Sequence, residues 1–172
     1  KPNCLKAQHQ YLLINPYYQK LYCHYLKILL QIMIHPIQSF YSTHFVRHHE
    51  GCEKFVHSQR GDRRKILEDY GVQTRDDLPQ GALNDMDMTA NAQALINISR
   101  KRLCSCASKE TREAWQAVKD EVAKVEPELA SCMVRDCTYR GFCAEMFPCG
   151  YSKTEAYKKE LAEYRKGFDS NE

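Results

Sequence analysis

Apolar residues recur along the chain at more than one period, and each pattern predicts an element. Residues 17 to 34, YYQKLYCHYLKILLQIMI, are dense in apolar side chains and predict a mostly buried helix. Pro36 stops it, because proline cannot continue the i→i−4 ladder. Ser39 to Val46 is rich in aromatic and β-branched residues, the composition of a strand running into Arg47. Gly61 to Pro79 is a polar connection with room for one helical turn. Thr89 to Leu103 predicts a helix with Thr89 as N-cap. Asn91, Leu95, Ile98 and Arg102 share one stripe of it, and the first and last lie about three turns, roughly 16 Å, apart. An aliphatic stripe ending in Asn and Arg is unusual for a plain core face. A further helix runs from Ser108 to about Val125, with Trp115, Val118, Val122 and Val125 at core spacing. Ser152-Lys153-Thr154-Glu155 has the form of a capping box, opening a last helix that ends before Gly167. That helix is mostly charged, which suits the surface or a contact with another subunit. No repeats or low-complexity linkers interrupt the chain. The expected architecture is α+β: a single domain over residues 1–172, with a small, mostly antiparallel sheet flanked by helices and a helix-rich C-terminal half. Residues 1–40 form a divergent helical lead-in, and residues 132–172 a cysteine-rich stretch followed by the C-terminal helix.

Composition narrows the class. The 172 residues are enough for one domain with a proper core and short for two. A formal charge of +3 is too small to call for nucleic acid. The longest apolar run, Ile28 to Ile34, contains Gln31 and is far too short to cross a bilayer, so no membrane partner is expected. No secretory signal is visible. Nine cysteines are an odd set, which argues against a framework of disulfides and for free thiols in a reducing, cytoplasmic setting. Cys132, Cys137, Cys143 and Cys149 lie close in sequence and offer four thiolates for a tetrahedral zinc, without the tight C-x-x-C spacing of zinc knuckles. With zinc there, RGDRRK at 60 to 65 would be the phosphate patch of a nucleic-acid-binding module.

The segment RHHEGCEKFVHSQR, Arg47 to Arg60, carries the most chemistry. Arginine presents a charged planar fork that matches phosphate, and histidine beside it donates, accepts or stacks. Such a segment is either a solvated basic loop or one wall of a pocket for a nucleotide or flavin. Further on, Arg75, Asn91 and Arg102 follow in order. Each alone has an ordinary explanation: Arg102 as a helix C-terminal cation, Arg75 as a loop charge beside Asp76 and Asp77, Asn97 as a backbone bridge.

In combination these residues resemble the flavin-dependent (alternative) thymidylate synthases. That family carries RHR, seven residues, then S-x-R, against Arg47-His48-His49 and Ser58-Gln59-Arg60 here. Downstream, Arg75-Asp76-Asp77-Leu78-Pro79, Asn91-Ala92-Gln93-Ala94-Leu95-Ile96-Asn97, Lys101-Arg102 and Ala107 to Glu110 are similar to its remaining motifs, with no gap from Arg75 to Glu110. The resemblance implies methylation of dUMP to dTMP, with FAD as cofactor, NADPH as reductant and methylenetetrahydrofolate as carbon donor, in a homotetramer that shares sites between subunits. It implies no cysteine nucleophile. It also implies Arg102 against the uracil edge as the catalytic residue. His44, Arg47, Ser58, Gln59, Arg60, Arg75 and Arg102 would hold dUMP; Arg47, His48, His49, Asn91, Gln93 and Asn97 would hold FAD. The same chemistry can instead hydroxymethylate a pyrimidine nucleotide, and a relative that binds nucleotide without turnover is a third outcome. The chain departs from the pattern at His49 and Gln93, where the family has arginine. Its Arg47–Ser58 spacing is one residue longer, the segment between Arg60 and Arg75 is short, and His35 is the only remnant of a Glu-His lead-in. A divergent member is expected.

Overall fold

Alternation in burial defines the first element of the computed structural model, which describes residues 29–57, 59 and 65–169, with the side chains of the last three left aside. Leu30, Ile32 and Ile34 are buried while Gln31 and Met33 are half-covered, the period of two that a strand requires. This strand, β1 (Leu29–Gln38), replaces the C-terminal part of the helix expected over residues 17 to 34; the remainder of that expectation lies outside the described residues. Its outer face also carries Leu29 and Met33, so both faces are partly apolar and the alternation is masked in the sequence. Pro36 does not end the element. It sits in an edge strand, at the register shift between Ile34 and Ile37, where its missing N–H is tolerated.

The expected strand over Ser39 to Val46 is a helix, α1 (Ser39–Val46). Tyr41 and Phe45 are four residues apart on its buried face, and the Ser42 and Thr43 hydroxyls donate back to the carbonyls of Ser39 and Phe40. Local composition is overridden here by the packing of Phe45 against Trp115, whose ring centroids are 5.4 Å apart. β2 (Cys52–Val56) and β3 (Leu83–Asn91) complete an antiparallel sheet in the order β1-β3-β2. The sheet is therefore centred on β3, in which Asn84, Met86, Met88 and Ala90 point to the core. Between β2 and β3 lie α2 (Ile66–Tyr70) and a 3-10 turn at Arg75–Asp77, as expected for a polar connection with one helical turn.

α3 (Ala92–Arg102) begins two residues later than expected from an N-cap at Thr89, because Thr89 still belongs to β3. Its N-cap is Asn91, whose Oδ1 accepts the Ala94 N–H at 2.8 Å. α4 (Lys109–Val125) is capped by Ser108 and buries Trp115, Val118 and Val122 completely, while Val125 stays half-covered. α5 (Pro127–Cys132), α6 (Asp136–Arg140) and α7 (Glu155–Asp169) follow. α7 is capped by Thr154, whose hydroxyl accepts the Tyr157 N–H, and it runs past Gly167 rather than stopping before it. It lies largely on the surface, with Tyr157 buried.

The core is the space between the inner face of the sheet and α1, α3 and α4. Each fully buried large side chain there contributes roughly 1.5–3 kcal/mol of transfer free energy. A polar thread within it is satisfied end to end: Trp115 Nε1–H donates to Ser99 Oγ at 2.9 Å, and Ser99 donates to the Leu95 carbonyl at 2.7 Å. The architecture is the α+β one expected, with helices dominating the C-terminal half. Among the described residues no helix is long and apolar enough to cross a membrane.

Candidate functional site

The C-terminus of α3 meets the C-terminus of α1 at Arg102. Arg102 Nε–H donates to His48 Nε2 at 3.0 Å, and its Nη2 donates to the His44 carbonyl. Residues more than fifty positions apart are thus joined. His44 Nδ1 lies 2.9 Å from Thr111 Oγ1, a fully buried hydroxyl that Ser108 also contacts at 2.8 Å. α1, α3 and α4 therefore converge on one group.

Its electrostatics are one-sided. Burial, followed by the charges of Arg102 and Lys54, pushes His48 down to about 4. The imidazole is neutral at pH 7 and accepts through Nε2, which places its proton on Nδ1. Burial, then Arg102 and Arg47, also lowers His44. Burial, then Arg47, lowers Arg102, which nonetheless stays charged. Among the described residues no carboxylate pairs with Arg47 or Arg102. Two guanidiniums that repel each other without a counter-ion make a local field suited to an anion. Of Arg102's five N–H donors, two are used in these contacts, which leaves three, both on Nη1 and one on Nη2.

The turn between α1 and β2 is shaped by Gly51, at φ +69°, in the left-handed region. A Cβ there would lie 2.6 Å from Asn91 Nδ2, and the Gly51 carbonyl accepts the Asn91 N–H at 2.9 Å. The N-cap of α3 is thereby pinned beneath the Arg47 turn. Gly51 and Thr111 were not foreseen from sequence. A glycine inside the basic segment was the available sign for the first; nothing local marked the second.

The remaining expected residues are spread around this centre. Arg47 and His49 are exposed beside it. Asn91 is spent on its cap, and Gln93 Nε2 donates to Asn97 Oδ1 at 3.1 Å one turn further along α3. Gln59 donates to Ser39 Oγ at the start of α1. Ser58 and Arg60 lie outside the described residues. Arg75 is exposed on the 3-10 turn, and no hydrogen bond or ion pair among the described residues links it to Arg102 within one chain. The four cysteines considered for zinc do not assemble: among the described residues Cys149 groups with Cys104 and Cys106, and not with Cys132, Cys137 and Cys143.

A second polar cluster occupies the outer sheet face at the middle of β3. Asp87 accepts from His35 Nε2 at 2.7 Å and from His57 Nε2 at 3.1 Å, clasping all three strands. A cleft of about 370 Å³ opens nearby, lined by Pro36, Lys65, Ile66, Asp69, Tyr70, Leu83 and Asp85. Its wall is acidic and Tyr-bearing, and it lies away from the Arg102 group.

Comparison with known proteins bears on the same segment. Residues 64–128 match the family model described as thymidylate synthase complementing protein. The matched stretch contains Arg75, Asn91, Arg102 and Thr111. Over that stretch the chain is similar to that family. The match spans under half of the chain and leaves the Arg47 turn outside it. No curated protein sequence matches significantly. Among solved structures, the chain is similar to a UMP/dUMP methylase, PolB, from Streptomyces cacaoi bound with 5-Br dUMP. The identity is 13%, the TM-score is 0.48, and the alignment covers 66% of this chain and 71% of that one. What joins the Arg47 turn to the family segment is internal to this structure: the His48–Arg102 and Gly51–Asn91 hydrogen bonds.

Proposed function

We propose that this protein methylates dUMP to dTMP, with FAD as cofactor, NADPH as reductant and methylenetetrahydrofolate as carbon donor, in a homotetramer whose subunits complete one another's sites. The observation that carries the reading is the Arg47–Arg102 pair: two neighbouring guanidiniums with no carboxylate partner among the described residues, one of them in the segment matched to the family model. In this reading Arg102 lies against the uracil edge. A fixed charge there favours the N3-deprotonated, enolate-like ring and makes C5 more nucleophilic. Neutral His48 and the His44 carbonyl hold the guanidinium in one orientation, so little reorganisation is needed as charge develops. Arg75, Ser58, Gln59 and Arg60 would take the nucleotide phosphate and sugar, with Arg75 reaching them from another subunit.

The residues present fit a flavin in their donor chemistry. Arg47 and His49 are exposed beside the Arg102 group, the Gln93 amide is exposed at the other end of α3, and all three offer N–H donors to phosphate and ring carbonyls. Asn91 offers only Nδ2, since Oδ1 is committed to the cap. FAD, when bound and reduced by NADPH, supplies the hydride. None of the cysteines is required as a nucleophile.

The test is the absorption spectrum of the purified protein, alone and after dUMP is added, followed by tritium release from 5-labelled dUMP. A two-banded flavin spectrum perturbed by dUMP, with NADPH-dependent tritium release, is expected. A colourless protein that takes up no FAD and releases no tritium overturns the reading.

A further inference from the structure

Immediately after Arg102 the chain leaves α3 through Leu103-Cys104-Ser105-Cys106-Ala107 and enters α4. Across from this turn runs the stretch from Gly141 to Gly150, which has no helix or strand and exposes Phe142, Met146 and Phe147. What joins the two segments is weak. Lys101 and Glu145 form an exposed ion pair at 3.4 Å, worth little in water, and Cys106 Sγ sits 3.9 Å from the Phe147 carbonyl. Yet the Sγ atoms of Cys104, Cys106 and Cys149 all lie within 4.8 Å of one another. All three thiols are unpaired.

We propose that Cys104, Cys106 and Cys149 bind one zinc ion, which fastens the 141–150 segment to the turn that follows Arg102. The set differs from the four cysteines that sequence spacing brought to notice, and it does not depend on the nucleotide chemistry above. The geometry is close to what the ion needs. Zn–S bonds of about 2.3 Å in a tetrahedron put sulfur atoms roughly 3.8 Å apart, so the cluster need contract by no more than about 1 Å. The turn is already held in shape, because Arg112 Nη1 donates to the Ser105 and Ala107 carbonyls on either side of Cys106, and the Ala107 N–H donates to the Cys104 carbonyl. Each thiol gives up its proton to solvent as its sulfur takes the metal. Three thiolates on Zn²⁺ leave one net negative charge, and the Arg112 guanidinium beside the turn offsets it. The fourth tetrahedral position is left to water. Cys132, Cys137 and Cys143 take no part.

The experiment strips the full-length protein with a chelator and titrates Zn²⁺ against a chromophoric competitor; Co²⁺ in a parallel sample reports sulfur ligation by its thiolate charge-transfer band. One ion per chain is expected for the wild type and for Cys132→Ser and Cys143→Ser, falling to none in the Cys106→Ser/Cys149→Ser double variant. Zn²⁺ should also protect Cys104, Cys106 and Cys149 of the wild type from alkylation, read by mass spectrometry, which tests the site even if the double variant misfolds. The proposal is overturned by any of three results. These are sub-stoichiometric metal in the wild type, binding that survives the double variant but is lost in His57→Ala, or unchanged alkylation of the three thiols when zinc is present.

Discussion

Arg100 and Arg102 are two residues apart on the last turn of α3, and their surroundings are opposites. Arg100 Nε–H donates to Asp136 at 2.7 Å, its guanidinium lies 4.1 Å over the Tyr139 ring, and Arg140 reaches the other oxygen of the same carboxylate at 2.8 Å. Burial alone would raise Asp136, but the hydrogen bonds from Arg100 and Arg140 outweigh it and hold the carboxyl below its usual range. Among the described residues Arg102 has only neutral acceptors, a histidine kept uncharged and a backbone carbonyl, and its charged neighbour is another arginine. One guanidinium is consumed by the fold, whereas the other is positioned and left electrostatically hungry. A charge held in place without its counter-ion destabilises the free protein slightly, and it is the sort of strain a binding site keeps.

The comparison breaks most readily at Arg102. Arg102→Ala should lower kcat for dUMP turnover by about 100-fold or more, the loss typical of removing a donor aimed at developing charge. Its circular dichroism and flavin content should stay close to wild type, because the residue supports only two hydrogen bonds at the edge of the core. Wild-type turnover in this variant would remove Arg102 from the mechanism. Arg102→Lys keeps the charge but not the fork, and should recover only part of the rate.

Arg100→Ala should do the reverse. It leaves Asp136, a carboxylate whose side chain is 9% exposed, with Arg140 as its remaining partner. A loss of about 2–3 kcal/mol of stability is expected, read by urea unfolding. Turnover per folded molecule should hold. If Arg100→Ala unfolds at the wild-type midpoint yet loses activity, the two arginines have been assigned the wrong way round.

How much of this contrast was visible in the sequence depends on the range of each interaction. α3, α4 and α7 were legible because helical periodicity and caps are local signals, though Asn91 rather than Thr89 caps α3. β3, the centre of the sheet, passed unseen. Its outer face carries Asp85, Asp87 and Thr89, so the stretch reads as polar although Met86, Met88 and Ala90 alternate beneath. β1 failed for the converse reason, with apolar residues on both faces hiding the period of two. α1 was misread because its composition suits a strand, and only Trp115 and the sheet decide otherwise. At the site, residue types and order were legible, since a guanidinium brings its chemistry wherever it lies. The His48–Arg102 hydrogen bond spans more than fifty residues and has no local signature. The same holds for Thr111 under His44, and for Cys149 beside Cys104 and Cys106. Spacing along the chain is a poor guide to thiols that meet across a turn.

The smallest expected effect sharpens the comparison at its neutral member. His48 should titrate near 4 by NMR, well below the ordinary histidine value, because burial and the Arg102 and Lys54 charges disfavour the imidazolium. Between about 6.5 and about 4 the unfolded chain binds a proton at this position that the folded chain refuses. The His48 contribution to stability is therefore intact above pH 6.5 and declines as pH falls through that window. The side chain is half exposed, so the effect on unfolding free energy should be modest, on the order of 1 kcal/mol after solvent screening. Asp87 titrates in a separate window. Burial would raise it, but hydrogen bonds from His35 and His57 outweigh this and depress it, so its contribution is lost only at still lower pH. In Arg102→Ala the His48 midpoint should move up toward the ordinary value, since the nearest positive charge is gone. A His48 midpoint that ignores the loss of Arg102 would mean the two side chains are not coupled in solution. The orientation of Arg102 would then need another explanation.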